Sequence, residues 1–234
     1  EAHQGKDATV PVLANDYNPF PDTPLQILLA EVEAGEGKAK VVGDKVVVTP
    51  GPDYFGTMVV RYRVADATAD NDREVDGRIR LTVQGRPDTP GIPTVTSVQD
   101  RLVVMSWTPP SNNGAEITHY EVSSLTPAGY EKTCASTTCT LDGLTNNVEY
   151  TFQVVAVNRV GSSDPSLPSA VARPDARPDT PQPPTLAFGD ASLDVNWITP
   201  PTPGSPVESF TLEISPAPPG GSIQKTGVTG NSYR

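Results

Sequence analysis

Short runs in which every second residue is apolar recur along the whole chain, and no segment carries a sustained helical pattern. The clearest run is 150–158, where Tyr150, Phe152, Val154 and Ala156 occupy alternate positions. A period of two is typical of a β-strand with one face toward a core. Because Gly, Pro, Asn and Asp separate the runs, the pattern predicts an all-β protein.

Residues 1–85 contain runs for six or seven strands, which suits one sandwich-sized domain. The Gly43-Asp44 pair between two runs is typical of a hairpin turn. Arginines alternate with inward-facing residues on two of the runs, so we expect a shared outer face balanced by Glu or Asp across the strands. The arginines are Arg61, Arg63, Arg78 and Arg80. The runs are 9–13, 25–32, 38–42, 45–49, 57–64 and 77–83.

Four motifs in this first unit resemble those of a bacterial Ig-like, cadherin-like repeat. They are Val12–Asp16, Pro24-Leu25, Pro52–Thr57 and Tyr62–Asp66, and the resemblance covers most of 8–84. It implies one of several tandem domains in a large exported bacterial protein. Some relatives carry an aspartate-rich turn that suits calcium, but here residues 17–22 lack most of those carboxylates.

Residues 86–175 resemble a fibronectin type III domain over their whole length. The motifs are Trp107 before Pro109-Pro110, then Tyr120, Leu144, Tyr150, the segment 157–166 and a last run at Ala170–Ala172. A Trp on an early strand and a Tyr opening a late strand mark an immunoglobulin-like sandwich. The resemblance implies a core that contains Trp107, Tyr120, Leu144 and Tyr150, with Trp197 as the core residue of the unit that follows. It also implies a tyrosine corner, in which the Tyr150 hydroxyl bonds to the backbone near Leu144.

Residues 176–234 repeat the start of the second unit. Arg177–Pro181 repeats Arg86–Pro90, Trp197 matches Trp107, and Phe210 matches Tyr120. The repeat predicts the N-terminal part of a second fibronectin type III domain that is incomplete, because nothing matches 150–158. We therefore expect an exposed Trp197 and an edge that frays or is completed by a neighbouring chain.

The three units predict tandem immunoglobulin-like β-sandwiches arranged end to end, over 1–85, 86–175 and 176–234. The repeated linker Arg-Pro-Asp-Thr-Pro holds two prolines in five residues. Proline fixes φ, so each linker should be extended and semi-rigid.

Two cysteines, Cys134 and Cys139, stand five positions apart in the second unit. The spacing is not C-x-x-C and no His is near, which disfavours a metal or redox site. A disulfide that closes a hairpin or strand-edge loop is one reading, and two free thiols is the other. A disulfide would indicate an oxidising compartment.

The chain is acidic, with 28 Asp and Glu against 17 Lys and Arg, for a net charge of −11. This balance disfavours nucleic acid and anionic membrane surfaces as partners. No apolar run reaches the roughly 18 residues of a membrane span. The chain begins at Glu1 without a signal peptide, so we expect a piece of a longer exported protein with any anchor outside it.

No residue pattern indicates catalysis, and we expect neither an enzyme nor a cofactor. The bases His3 and His119 fall at the start of the chain and on an outer strand face, and no Gly-x-Ser-x-Gly elbow is present. Calcium is the one metal worth considering. The weak candidates are Asp66, Asp70, Asp72 and Asp76, in a loop that also suits ordinary turn chemistry.

Four aromatic residues of the first unit, Tyr17, Phe20, Tyr54 and Phe55, should pack under their own loops rather than form an exposed patch. The predicted function is that of a structural spacer in an extracellular or cell-surface bacterial protein. Two alternatives remain open at this point. One is an adhesion segment whose partner is a cell-wall glycan or another protein. The other is the accessory region of a secreted polysaccharide-degrading enzyme.

Overall fold

The computed structural model describes residues 1–216, 221 and 224–234. Strands and loops form this part of the chain, and its single helical turn is a 3-10 turn at Asn71–Arg73. None of its helical segments is long and apolar enough to cross a membrane. The all-β prediction is confirmed.

Seven strands of the first unit form two sheets with a shared core. One sheet has the order β1-β7-β6-β3, with β1 parallel to β7, and the other has the order β2-β5-β4. Val46 and Val48 of one sheet and Met58 and Val60 of the other belong to one buried cluster. Five of the six predicted runs coincide with strands, the run at 9–13 is a strand only as far as Val10, and Gly43 turns the hairpin with φ 61°. The strands are β1 (Ala2–His3), β2 (Ala8–Val10), β3 (Gln26–Ala34), β4 (Gly37–Val42), β5 (Lys45–Pro50), β6 (Gly56–Ala65) and β7 (Val75–Gln84).

The outer face of this unit carries the predicted arginine pairs. Arg61 pairs with Glu31 across the strands, Arg63 Nε lies 2.7 Å from Asp76 Oδ1, and Arg78 Nε lies 2.6 Å from Glu33 Oε2. The expected balance by acidic residues is confirmed for these three arginines. Because the pairs are exposed to solvent, water and salt screen them and each contributes little to stability.

Six strands of the second unit form two three-stranded sheets, β11-β10-β13 and β12-β9-β8. Phe152, Val154 and Ala156 of β13 are fully buried between them. The Trp107 ring packs edge-on against Tyr120, with ring centroids 5.4 Å apart. The strands are β8 (Thr94–Gln99), β9 (Leu102–Ser106), β10 (Ile117–Thr126), β11 (Ala128–Cys134), β12 (Thr138–Asp142) and β13 (Thr151–Asn158).

The predicted tyrosine corner is confirmed. The Tyr150 hydroxyl accepts a hydrogen bond of 3.0 Å from the backbone N–H of Thr145, next to Leu144. Tyr150 and Leu144 are both buried. The bond pins the loop before β13 to the start of that strand.

The run at Ala170–Ala172 does not form a strand, and only Ala172 bridges to Tyr150. Three serines spaced three residues apart cover the free edge of β13 instead. Ser163, Ser166 and Ser169 each donate a backbone N–H to that strand, to Ala156, Val154 and Phe152. Each serine hydroxyl also accepts the N–H of the same partner at 3.0 Å. The serines thereby satisfy an edge that would otherwise be open to pairing.

The third unit forms a three-stranded sheet, β14-β15-β18, and a two-stranded pair, β16-β17. The expectation of an exposed Trp197 is wrong, because the side chain is only 7% exposed. Phe210 packs edge-on against it at 5.3 Å, and the Asn231 carbonyl accepts its backbone N–H at 3.0 Å. The unit boundaries and the fraying of this unit stay predictions. The strands are β14 (Thr185–Gly189), β15 (Ser192–Asn196), β16 (Phe210–Glu213), β17 (Gln224–Val228) and β18 (Ser232–Tyr233).

Candidate functional site

The chain passes from the first sandwich to the second through a junction that begins with two buried residues. Strand β7 ends at Gln84, whose side chain is only 5% exposed, and the next residue, Gly85, is also buried. A Cβ on Gly85 would lie 3.0 Å from the Cβ of Phe55 and 3.2 Å from that of Asn113. The close approach of the two sandwiches therefore favours glycine at this position.

Three of the hydrogen bonds that cross this junction involve Gln84 as donor or the backbone of Gly85. The Gln84 side-chain amide donates to the Gly114 carbonyl at 2.8 Å. The Gly85 N–H donates to the Asn113 carbonyl at 2.9 Å. The Asn158 side-chain amide donates to the Gly85 carbonyl at 2.9 Å. The end of one strand is thus bonded to a loop and to a strand end of the next sandwich.

Asn158 is the centre of this network, and it is only 5% exposed. Its amide nitrogen also reaches the carbonyls of Asn112 and Ala115, each at 3.2 Å. Its carbonyl oxygen accepts the N–H groups of Val160 and Gly161, at 2.9 and 3.1 Å. One side chain therefore ties the linker, the 111–115 loop and the turn after β13 together.

Further hydrogen bonds and one ion pair lie around these buried hydrogen bonds. Arg159 Nε donates to Gln84 Oε1 at 2.9 Å, and its Nη2 lies 2.9 Å from Glu1 Oε2. On the linker, the Arg86 N–H donates to Gln4 Oε1 at 3.0 Å, and the Arg86 carbonyl accepts from Asn113 Nδ2 at 2.8 Å. The linker is bonded on both sides, which agrees with the expectation of a semi-rigid connection.

These contacts fix geometry rather than perform chemistry. A buried polar group that loses its partner costs about 1–3 kcal/mol. A change in the angle between the two sandwiches would break several such bonds at once. The arrangement therefore favours one relative orientation.

The junction between the second and third units is also held by polar hydrogen bonds, but with different residues. Asp175 stands 91 positions after Gln84, and its carboxylate accepts the N–H and the hydroxyl of Ser205, both at 2.7 Å. The Ser205 hydroxyl, followed by its backbone N–H, lowers the pKa of Asp175. Asn146 Nδ2 also donates to the Pro203 carbonyl at 2.9 Å. Both junctions thus use a polar side chain just before the linker.

Three of the four calcium candidates, Asp66, Asp70 and Asp76, accept hydrogen bonds from the protein itself. The Asp66 carboxylate accepts two bonds from Arg73, and Asp76 accepts from Arg63 and Arg61. Asp70 accepts the N–H of Asp72 at 3.0 Å and so begins the 3-10 turn. Within the ranges that the structure describes, no group of three or more His, Cys, Asp or Glu side chains is placed to hold a metal ion. Calcium at this loop stays a prediction.

Cys134 and Cys139 are joined in a disulfide, with their Cα atoms 5.8 Å apart. Cys134 ends β11 and Cys139 lies in β12, so the bond connects the two sheets of the second sandwich. Its surroundings are the buried cluster that contains Trp107, Tyr120, Leu144 and Tyr150. Trp197 lies in the third unit, outside that cluster.

The expected packing of the four aromatic residues holds for one of them. Tyr54 packs against the core and its hydroxyl donates to the Thr57 carbonyl at 2.6 Å. Tyr17, Phe20 and Phe55 are 89%, 37% and 47% exposed. The expectation is wrong for these three, because their side chains are exposed rather than packed beneath the loops.

Sequence reasoning missed Gln84 and Asn158. One signal was present for Asn158, which occupies the inward-facing phase of β13 after Phe152, Val154 and Ala156. A polar residue at an inward position must find partners. The sequence did not reveal that those partners belong to the linker and to a neighbouring loop.

Comparison with known families divides the chain as its motifs do. Residues 1–75 match the bacterial Ig domain family, and residues 88–172 match the fibronectin type III domain family. The chain therefore contains a bacterial Ig domain followed by a fibronectin type III domain.

Curated relatives match about half of the chain. Contactin-5 of Gallus gallus is 33% identical over 119 residues, which are 46% of this chain and 12% of that protein. Myosin-binding protein C, slow-type, of Homo sapiens is 30% identical over 138 residues, which are 54% of this chain and 12% of that protein. The chain thus spans about an eighth of the length of these relatives. Among solved structures, a crystal structure of consecutive titin domains is 24% identical, with a TM-score of 0.47, and covers 74% of this chain and 60% of that one.

Proposed function

We propose that this chain, a bacterial Ig domain followed by a fibronectin type III domain, is a non-catalytic spacer segment of an exported bacterial protein. Its role is geometric, because it holds whatever lies on either side at a set distance and angle. The observation that carries the proposal is the buried network around Gln84, Gly85 and Asn158. A flexible tether needs no such network, whereas a spacer of fixed shape does.

The extracellular location rests on two supporting observations. The Cys134–Cys139 disulfide suits an oxidising compartment. The second is the pairing of a bacterial Ig domain with a fibronectin type III domain, in a chain that is similar to contactin-5. We place the chain outside the cytoplasm or on the cell surface.

Pairs of spin labels on the two sandwiches test the proposal. The labels are attached through Lys40→Cys and Glu131→Cys, both at exposed positions, and the distance distribution is measured by double electron–electron resonance. We expect one narrow distribution, which broadens in Gln84→Ala because that variant loses the bonds to Gly114 and Arg159.

The matched control is Gln99→Ala, since the Gln99 side chain bonds only to nearby Ser97 in the described structure. The control should leave the distribution narrow. A broad distribution in the parent chain, or equal broadening in both variants, would overturn the proposal of a fixed spacer.

A further inference from the structure

A cavity of about 530 Å³ opens on the first sandwich, between the loop that carries Asp16 and Tyr17 and the strands β6 and β7. Ligand pockets in proteins typically span about 300–1,000 Å³. None of the junction residues Gln84, Gly85 and Asn158 lines it. Its lining combines aromatic, apolar and charged side chains.

Tyr62 lines this cavity, and a glycine makes room for its ring. Tyr62 of β6 lies directly opposite Gly77 of β7. A Cβ at Gly77 would lie 2.3 Å from the Cζ atom of Tyr62, so any other residue would displace the ring. Burial, and then the Asp16 carboxylate, raise the pKa of Tyr62. The hydroxyl therefore stays protonated and able to donate.

Tyr17 and Arg73 also line the cavity, and they provide a second aromatic ring and a fixed cation. Tyr17 is 89% exposed, so its ring is available to a ligand. Arg73 donates to Asp66 Oδ2 through Nε at 2.8 Å and through Nη2 at 2.6 Å. It also lies over the Phe20 ring, 5.8 Å from its centroid. These contacts hold the guanidinium in place and leave Nη1 as a donor.

The charges around the cavity select among ligand classes. Asp66 is paired with Arg73, and Asp76 is paired with Arg63 and Arg61. In the described ranges, the Asp16 carboxylate makes no ion pair and no side-chain hydrogen bond, so it is an unused acceptor. The unpaired Asp16 carboxylate would repel an anionic ligand, whereas Arg73, which is already paired with Asp66, offers Nη1 as a hydrogen-bond donor.

We propose that this cavity binds a neutral saccharide unit. Sugar hydroxyls both donate and accept, which suits Asp16 as acceptor and Arg73 and Tyr62 as donors. The apolar C–H face of a sugar ring suits the exposed ring of Tyr17. The proposal is independent of the spacer function, because it concerns the first domain alone and uses none of the junction residues.

The test is an NMR titration of the full chain with soluble neutral oligosaccharides: cellotetraose, chitotetraose, xylotetraose and mannotetraose. A cationic probe, N-acetyl-lysine amide, forms a separate arm. We expect saturable, millimolar-range shifts of the Tyr17, Tyr62 and Gly77 amides with at least one oligosaccharide. Tyr17→Ala and Asp16→Asn should each weaken that binding at least about tenfold, which equals about 1.4 kcal/mol.

Phe188→Ala is the matched control, because Phe188 is 89% exposed like Tyr17 but lies in the third unit. It should leave the titration unchanged, and unchanged amide spectra elsewhere should show that each variant folds. Three results would overturn the proposal. They are no shifts with any oligosaccharide, shifts that survive Tyr17→Ala, and binding of the cationic probe alone.

Discussion

The Asn158 side-chain amide donates a 2.9 Å hydrogen bond to the Gly85 carbonyl, and both residues are buried. Asn158 is the last residue of β13 in the second sandwich, and Gly85 is the residue that leaves the first. The bond therefore couples the folding of one domain to the position of the other. It gives the linker a defined path before its prolines are reached.

Replacing Asn158 with alanine should destabilise the second sandwich by about 1–3 kcal/mol, because the carbonyls of Gly85, Asn112 and Ala115 lose a donor. Urea unfolding measures this through the fluorescence of Trp107 in a Trp197→Phe background. The control is Asn196→Ala, at an exposed position of the third unit. A surface substitution of that kind should change stability by no more than about 0.5 kcal/mol. Equal effects in the two variants would argue against the network.

Removing the Tyr150 hydroxyl should cost about 1–2 kcal/mol in the unfolding free energy of the second sandwich. Tyr150→Phe leaves the Thr145 N–H without its 3.0 Å acceptor while the ring stays in the core. Tyr17→Phe removes an equivalent hydroxyl from an exposed ring and should be neutral. The same urea unfolding assay compares them, and a neutral Tyr150→Phe would mean that the corner bond contributes nothing.

Reduction of the disulfide should lower the stability of the second sandwich by about 2 kcal/mol, since the bond closes a loop of only a few residues. Unfolding with and without dithiothreitol measures the difference. The double variant Cys134→Ser/Cys139→Ser should unfold like the reduced chain and show no response to the reductant. A dithiothreitol effect that persists in the double variant would place its cause elsewhere.

The stability of the first sandwich should fall as the pH drops between about 4 and about 2. Arg73, and then Thr68, hold the pKa of the Asp66 carboxyl at about 2, below its ordinary value of 3.8. A folded-state pKa that is depressed contributes stability above the unfolded value, and protonation removes that contribution as the pH falls through the folded value.

Asp66→Asn should therefore show a shallower loss of stability over this range, measured by urea unfolding at successive pH values. Asp44→Asn, at the exposed hairpin turn, should keep the slope of the parent chain. If the parent chain and Asp66→Asn have the same slope, the Asp66–Arg73 pair does not carry the acid dependence.

The local periodicity of the sequence was sufficient for the strands, and the resemblance to fibronectin type III domains was sufficient for the tyrosine corner. Alternation at 150–158 and at 57–64 gave the correct inward faces, because burial on one side of a sheet forces a period of two. The sequence pattern did not indicate that Ser163, Ser166 and Ser169 cover the edge of β13. These serines recur every three residues, whereas the residues on one face of a strand recur every two. Trp197 was expected to be exposed because the third unit has no match to 150–158. In the structure, however, Phe210 packs against it.

The candidate sites were harder to predict because they depend on contacts between distant parts of the chain. Gln84 meets Gly114 and Asn158 meets Gly85 only after both sandwiches have formed. Tyr62 and Gly77 become opposite each other only through the register of β6 and β7. Residue types alone indicated polar turns and a core tyrosine. They did not indicate which distant segments of the chain contact each other.

Residual dipolar couplings of the backbone amides test the central claim most directly, since they report the orientation of each sandwich in one alignment medium. If the junction fixes the two domains, couplings from residues 2–84 and from residues 94–158 fit a single alignment tensor of one magnitude. If the two sets require tensors of clearly different magnitude, the domains move independently and the account of a fixed spacer is wrong.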